Sequence, residues 1–131
     1  MRLRFRMMVL VLAILGFCGA RAQTAADAAA RAERLAYESG CTLCHSPLPR
    51  ASAENELLPI GPAWQQIARR YQGREDAVPR LVATVLQGSG TGGGDRHWAH
   101  QSSGEAMLPN SVEISAEDAE RVVRWILSRP R

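Results

Sequence analysis

Two cysteines and a histidine form the segment of the chain that says most about its chemistry. Cys41 and Cys44 are separated by two residues and His45 follows directly, which gives the pattern C-x-x-C-H. In this pattern each thiol adds across a vinyl group of haem to form a thioether bond, and the adjacent imidazole is placed to bind the iron. The segment therefore predicts one haem c, covalently attached through Cys41 and Cys44, with His45 as an axial iron ligand.

A C-x-x-C pair also occurs in disulfides, zinc sites and thioredoxin-like dithiols. A structural zinc site needs two further ligands, and the sequence has no second pair of cysteines. A thioredoxin-like dithiol needs a βαβ setting, whereas no stretch of the chain alternates apolar and polar residues with a period of two. All three are weaker alternatives to haem attachment.

The iron also needs a ligand on its other side. After the first 22 residues the chain holds one methionine, Met107, and two histidines besides His45, which are His97 and His100. A single methionine in a small domain is usually a core residue. Met107, however, lies near Pro109, outside any helical stripe and after a glycine-rich stretch. We predict Met107 as the second axial ligand, a pairing that raises the reduction potential, with His97 or His100 as the alternative.

The amino terminus has the three parts of a secretory signal peptide. Three arginines lie within the first six residues, residues 7–17 are apolar, and Ala20 and Ala22 give a small-x-small cleavage pattern. The apolar run is short for a membrane span. We predict cleavage after Ala22, a periplasmic mature protein of residues 23–131 without a membrane anchor, and loss of Cys18 with the signal. A retained anchor and a lipoprotein acylated at Cys18 are the weaker alternatives.

The charge balance does not indicate a nucleic-acid partner. The 131 residues contain 16 basic and 13 acidic side chains, and every basic residue is arginine. Removal of residues 1–22 takes away four arginines and no acidic residue, which leaves 12 against 13, a net charge of −1. The positive balance belongs to the targeting segment, so we expect no basic groove for a phosphate backbone.

Apolar periodicity and capping residues predict four helices. The first runs from Thr24 to Gly40, and the second opens at Gly61 and Pro62. The third runs from about Asp76 to Gln87 with Pro79 in its first turn, and the fourth is capped by Ser115 with Asp118. Residues 46–60 and 88–113 lack periodicity, and loops of this length suggest a function such as wrapping around a cofactor. The expected fold is all-α, with long loops around one haem.

Several features in order along the chain resemble the small bacterial class I monohaem cytochromes c of the c551/c552 type. They are the C-x-x-C-H segment, the turn Gly61-Pro62-Ala63-Trp64, the segment Met107-Leu108-Pro109-Asn110, and a capped last helix that contains Trp125. The resemblance covers essentially the whole mature chain. It implies the cytochrome c fold and single-electron transfer between redox proteins in the periplasm, without an enzymatic activity of its own.

The resemblance also implies supporting roles for three residues. The carbonyl of Pro62 would accept a hydrogen bond from His45 and fix its ring. The indole of Trp98 would reach a haem propionate, and Asn110 would form a hydrogen bond near the sulfur of Met107. The chain departs from the family pattern where Leu108 separates Met107 from the proline. It departs again in an aromatic side chain, Tyr37, about one position from its expected place.

Two other functions keep the haem and change its role. The chain could be the cytochrome subunit of a periplasmic dehydrogenase, with the long loops at the subunit interface. It could also be a haem sensor or peroxidase-like protein, which requires that Met107 leaves the iron open. The partners predicted for the carrier are transient redox proteins, which use small and weak interfaces.

Overall fold

The computed structural model describes residues 24–49, 57–90, 98, 101–103 and 105–130. Within these ranges the chain forms four α-helices and no strand: α1 (residues 24–38), α2 (Trp64–Arg70), α3 (Ala77–Gln87) and α4 (Ala116–Leu127). A short 3₁₀ helix, Cys41–Leu43, follows α1. The predicted all-α class is confirmed. The expected signal peptide, residues 1–22, lies outside the described residues.

The chain divides into two units at residue 31, inside α1. Of the first unit the structure describes residues 24–31, which are helical. The second unit, Ala32–Arg131, contains the rest of α1 and the other helices. None of the helices in the described ranges is both long and apolar enough to span a bilayer.

The core of the second unit lies where α4 packs against α2 and α3. The ring of Trp64 is almost completely buried and packs edge to face with the ring of Trp125 at a centroid distance of 5.0 Å. Ala36 contributes the buried face of α1, whereas the neighbouring Tyr37 is 73% exposed and does not enter the core. The buried cluster consists of Ala36, Trp64, Ile67, Tyr71, Ala77, Ile114, Ala119, Val122 and Ile126.

The apolar face of α3 is only half-buried, although its residues pack against this core. Leu81 and Val85 each contact the core cluster and also line a cavity. The apolar residues of α3 therefore face the core, and the cavity explains why their burial is incomplete. Pro79 is tolerated in the first turn because amide groups there have no partner within the helix.

The second helix begins later than predicted. The sequence placed Pro62 at its first position, whereas α2 starts at Trp64 after an N-cap at Ala63 in extended conformation. The Ala63 amide donates to the side-chain carbonyl of Gln66 at 2.8 Å, which caps the helix at this point. Pro62 is thus left outside the helix, where its carbonyl is available to another partner.

The cap of α4 is as predicted, and its contribution to stability is testable. The Ser115 hydroxyl accepts from the Asp118 amide at 3.1 Å and donates to the Asp118 carboxylate at 2.9 Å. That hydrogen bond and Arg121 hold the pKa of Asp118 below its usual value of 3.8. We expect Ser115→Ala to lower the free energy of unfolding by about 1 kcal/mol, measured by denaturant unfolding at pH 7. Ser115→Thr keeps the hydroxyl and is the control; an equal loss in both variants would contradict the capping role.

Candidate functional site

The C-x-x-C-H segment is folded into a tight turn directly after α1. Gly40 has a φ of 73°, a left-handed conformation that suits glycine, and it reverses the chain out of the helix. The 3₁₀ helix that follows places residues three apart on the same side. Cys41 and Cys44 therefore both line one cavity, and the His45 amide, bonded to the Cys41 carbonyl at 3.1 Å, brings the imidazole to the same cavity.

The two thiols are free in this turn. Cys41 is half-buried and Cys44 is exposed, and no disulfide joins them. Burial raises the pKa of the Cys41 thiol, and the backbone hydrogen bond opposes this in part. Among the described residues no group of three or more histidine, cysteine, aspartate or glutamate side chains could hold a metal ion.

The imidazole of His45 is oriented by a backbone carbonyl. Its Nδ1 lies 2.7 Å from the carbonyl oxygen of Pro62, the contact that the family resemblance implies. Because a carbonyl only accepts, Nδ1 must be the donor. Burial lowers the pKa of His45 below its usual 6.5, with the Pro62 hydrogen bond opposing it, so the ring is neutral at pH 7. A neutral ring with its proton on Nδ1 leaves Nε2 with a free lone pair, the form that binds a metal.

Gly61 packs directly against this imidazole, a role that the sequence did not reveal. Its amide donates to the Cys44 carbonyl at 2.9 Å. A Cβ atom at Gly61 would lie 2.7 Å from Cε1 and 2.8 Å from Nδ1 of His45. Contacts this short require the ring or the backbone to move. The sequence pattern places this glycine at the start of a helix, and its contact partner lies 16 residues earlier in the chain, beyond the range of a local pattern.

We therefore expect Gly61→Ala to disturb the His45 ring. Overpacking of this kind costs about 1–3 kcal/mol, and a displaced ring also loses its bond to Pro62. The variant holoprotein should unfold at lower denaturant concentration and show an altered histidine–iron spectrum. Gly73→Ala is the control for backbone strain without a steric contact. A Cβ at Gly73 meets nothing within 4 Å, whereas its φ of 71° is unfavourable for alanine. An equal change of the histidine–iron spectrum in the two variants would contradict steric pressure on the imidazole.

The cavity is large enough for a cofactor. Its volume is about 720 Å³, within the range of roughly 300–1,000 Å³ that is usual for small-molecule and cofactor sites. Residues of α2, α3, α4 and the turn after α1 line the cavity. Most of them are apolar, among them Ile67, Leu81, Val85 and Val122. Met107 is half-buried and lines the same cavity as Cys41, Cys44 and His45. The fold thus brings together the four residues predicted to hold a haem.

Asn110 makes a different contact from the one expected. Its side-chain amide donates to the carbonyl of Ser39 at 3.0 Å, and its backbone amide donates to the carbonyl of Val85 at 3.0 Å. Asn110 therefore ties the segment that contains Met107 to the turn before Cys41. The predicted hydrogen bond near the Met107 sulfur stays a prediction, because the side-chain amide has a second hydrogen.

Trp98 lines the cavity and packs against Arg70, whose guanidinium carbon lies 4.8 Å from the ring centroid. The role of its indole toward a propionate stays a prediction. His97 and His100, the alternative iron ligands, lie outside the described residues.

Comparison with known proteins gives consistent matches over most of the chain. The sequence model of the cytochrome c family matches residues 29–130. Cytochrome c-551 of Allochromatium vinosum is 35% identical over 106 residues, which cover 81% of this chain and 94% of the relative. Cytochrome c2 of Rhodocyclus tenuis is 35% identical over 94 residues, covering 72% and 87%. The crystal structure of Nitrosomonas europaea cytochrome c552 aligns with a TM-score of 0.55 at 28% identity, covering 73% of this chain and 96% of that one.

The cavity fits the cofactor of these relatives. One predominantly apolar cavity is lined by four potential donors. They are the thiols of Cys41 and Cys44, the neutral imidazole of His45 and the thioether of Met107. Sulfur and imidazole donors are the set that holds haem c. Cys41 and Cys44 have the spacing through which the family binds haem c covalently.

Proposed function

The chain is a member of the cytochrome c family, of the small class I monohaem type, with an electron-carrier function, and on that premise we propose that it is a periplasmic single-electron carrier whose iron is held by His45 and Met107. The observation that carries this proposal is the shared cavity of Cys41, Cys44, His45 and Met107. Haem supplies the redox chemistry, since its iron exchanges one electron between the ferrous and ferric states.

The residues of the chain have separate tasks in this function. Cys41 and Cys44 would anchor the cofactor, and the Pro62 carbonyl holds the His45 proton on Nδ1, which leaves the lone pair of Nε2 available to the iron. Met107 supplies a neutral thioether, which favours the reduced state and so raises the potential. The apolar lining from α3 and α4 excludes water. With His45 and Met107 both holding the iron, an electron would be exchanged with little rearrangement of the chain.

We propose that redox partner proteins dock at the mouth of the cavity. Three large apolar side chains that line the cavity are exposed: Leu43 at 82%, Ile60 at 52% and Leu108 at 78%. Such side chains suit a brief contact over a small area, as in redox encounters. The net charge of −1 expected after signal cleavage gives little long-range steering. A strong dependence of the electron-transfer rate on ionic strength would count against an apolar docking face.

The location follows from the predicted signal peptide in residues 1–22. Export through such a signal places the mature domain, from residue 23 onward, where haem c is attached outside the cytoplasm. N-terminal sequencing of the purified protein should begin at residue 23. A start at residue 1 would contradict export through a cleaved signal.

A redox titration of the purified holoprotein tests the proposed function. We expect one transition with a slope of about 59 mV per decade, the value for a single electron. The reduced protein should bind carbon monoxide slowly, because both axial positions are occupied. Rapid binding would instead show an open position and favour a sensor or peroxidase-like function. A purified protein that binds a larger catalytic chain stably would favour the dehydrogenase subunit.

A further inference from the structure

The carboxyl end of α3 lies unusually close to the segment that contains Met107. Gly88 ends the helix with a φ of 77°, in a conformation that L side chains rarely adopt. A Cβ atom there would lie 2.6 Å from the Met107 carbonyl oxygen and 3.0 Å from Pro109. Only glycine meets both requirements at this position, the left-handed φ and the absence of a side chain.

The next residue binds both backbone polar groups of Met107. The Ser89 amide donates to the Met107 carbonyl at 2.9 Å, and the Met107 amide donates to the Ser89 hydroxyl at 2.9 Å. A hydrogen bond from the Asn110 amide to the Val85 carbonyl fastens the same segment three residues later. Val85 in the last turn of α3 and Ser89 just after the helix therefore fix the backbone of the segment that contains Met107.

Met107 needs such support from outside its own segment. Methionine has three rotatable side-chain bonds, so the position of its sulfur depends on a fixed backbone. The residue that follows is Leu108, which does not restrict the backbone of Met107 as a directly following proline would. Leu108 is itself 78% exposed and offers little packing of its own.

We propose that Gly88 and Ser89 are the positioning residues for the Met107 thioether and set how often it leaves the iron. This inference rests on the proposed His45 and Met107 ligation. Gly88 allows the close approach, and Ser89 locks the backbone of Met107 in place through its amide and its hydroxyl. Loss of either interaction raises the population in which the sulfur is detached and the iron is open to an external ligand.

The rate at which the oxidised holoprotein binds cyanide measures that open population. Ser89→Ala removes one hydrogen bond and should accelerate cyanide binding about five-fold. Gly88→Ala forces the segment to move and should accelerate it roughly ten-fold or more, with a weaker near-infrared sulfur-to-iron band. Gly90→Ala is the matched control, because Gly90 has a φ of 75° and a Cβ there meets nothing within 4 Å. Ser89→Thr keeps the hydroxyl and should restore the wild-type rate.

The outcomes separate this inference from the proposed ligation. Acceleration in Ser89→Ala and Gly88→Ala, but not in Gly90→Ala or Ser89→Thr, supports the positioning role. Equal rates in Ser89→Ala and the wild type, or equal effects at Gly88 and Gly90, overturn it while the ligation stands. A wild-type protein without the near-infrared band, which binds cyanide at once, overturns the ligation itself.

Discussion

The double variant Cys41→Ser/Cys44→Ser is expected to lose covalent haem and most of its folded structure. The two thiols are the attachment points, and a hydroxyl does not form a thioether bond. Without the cofactor the apolar lining of a cavity of about 720 Å³ faces water, in a domain whose only fully buried large side chain among the described residues is Trp64. A tightly held cofactor contributes at least about 4 kcal/mol, comparable with the whole stability of a small domain.

Two measurements check this expectation. The pyridine haemochrome spectrum of the double variant should show no c-type haem, and its far-ultraviolet circular dichroism should show little helix. Cys18→Ser makes the same chemical change at the third cysteine, within the predicted signal peptide, and should leave a normal cytochrome. A double variant with a c-type haemochrome would contradict attachment at these two positions.

Replacement of Met107 by alanine is expected to free one axial position of the iron. The near-infrared sulfur-to-iron band should disappear, and carbon monoxide and cyanide should bind rapidly. The reduction potential should fall on the order of 100 mV or more, within the roughly 0.8 V that axial ligands span. Loss of the side chain itself should destabilise the fold modestly, because Met107 is only half-buried.

Leu108→Ala is the matched control for this change. Leu108 is the next residue, lines the same cavity and is 78% exposed, so its truncation should leave the band and the potential unchanged. A Met107→Ala protein that keeps its wild-type spectrum would contradict ligation by Met107. In that case His97→Ala and His100→Ala would identify a histidine as the second axial ligand.

Features that depend on neighbouring residues could be predicted from the sequence. The C-x-x-C-H segment carries its chemistry within five residues, and its turn follows from a helix end and one glycine. The cap of α4 by Ser115 and the position of Pro79 in the first turn of α3 are equally local. In each case the interacting groups lie within about one helical turn, so composition and spacing are sufficient.

Features that depend on distant residues could not be predicted in the same way. One local feature was also predicted wrongly: α2 starts at Trp64 after a cap formed by Gln66, whereas the sequence pattern favours proline at the first position. The contact of Gly61 with His45 and the bonds of Ser89 to Met107 each join segments at least 16 residues apart. Glycine and serine are common in loops, so neither residue signals such a contact by its type.

Asn110 shows that a resemblance to a protein family has the same limit when a contact joins distant residues. The family pattern implied a role next to the Met107 sulfur, whereas the described side-chain contact is with the Ser39 carbonyl, 71 residues away. This contact connects the segment with Met107 to the turn that carries Cys41. The position of a residue in a motif therefore indicated the correct region of the site, and the structure was needed to identify the bonding partner.

Mass spectrometry of a tryptic digest tests the central claim most directly. Cleavage at Arg34 and Arg50 releases residues 35–50, the one peptide that contains Cys41, Cys44 and His45. For protein produced with haem-maturation machinery and exported, this peptide should carry the mass of one haem, with both thiols resistant to alkylation. A peptide without haem, whose two sulfurs are alkylated or joined to each other, would contradict the covalent site on which the proposed electron carrier depends.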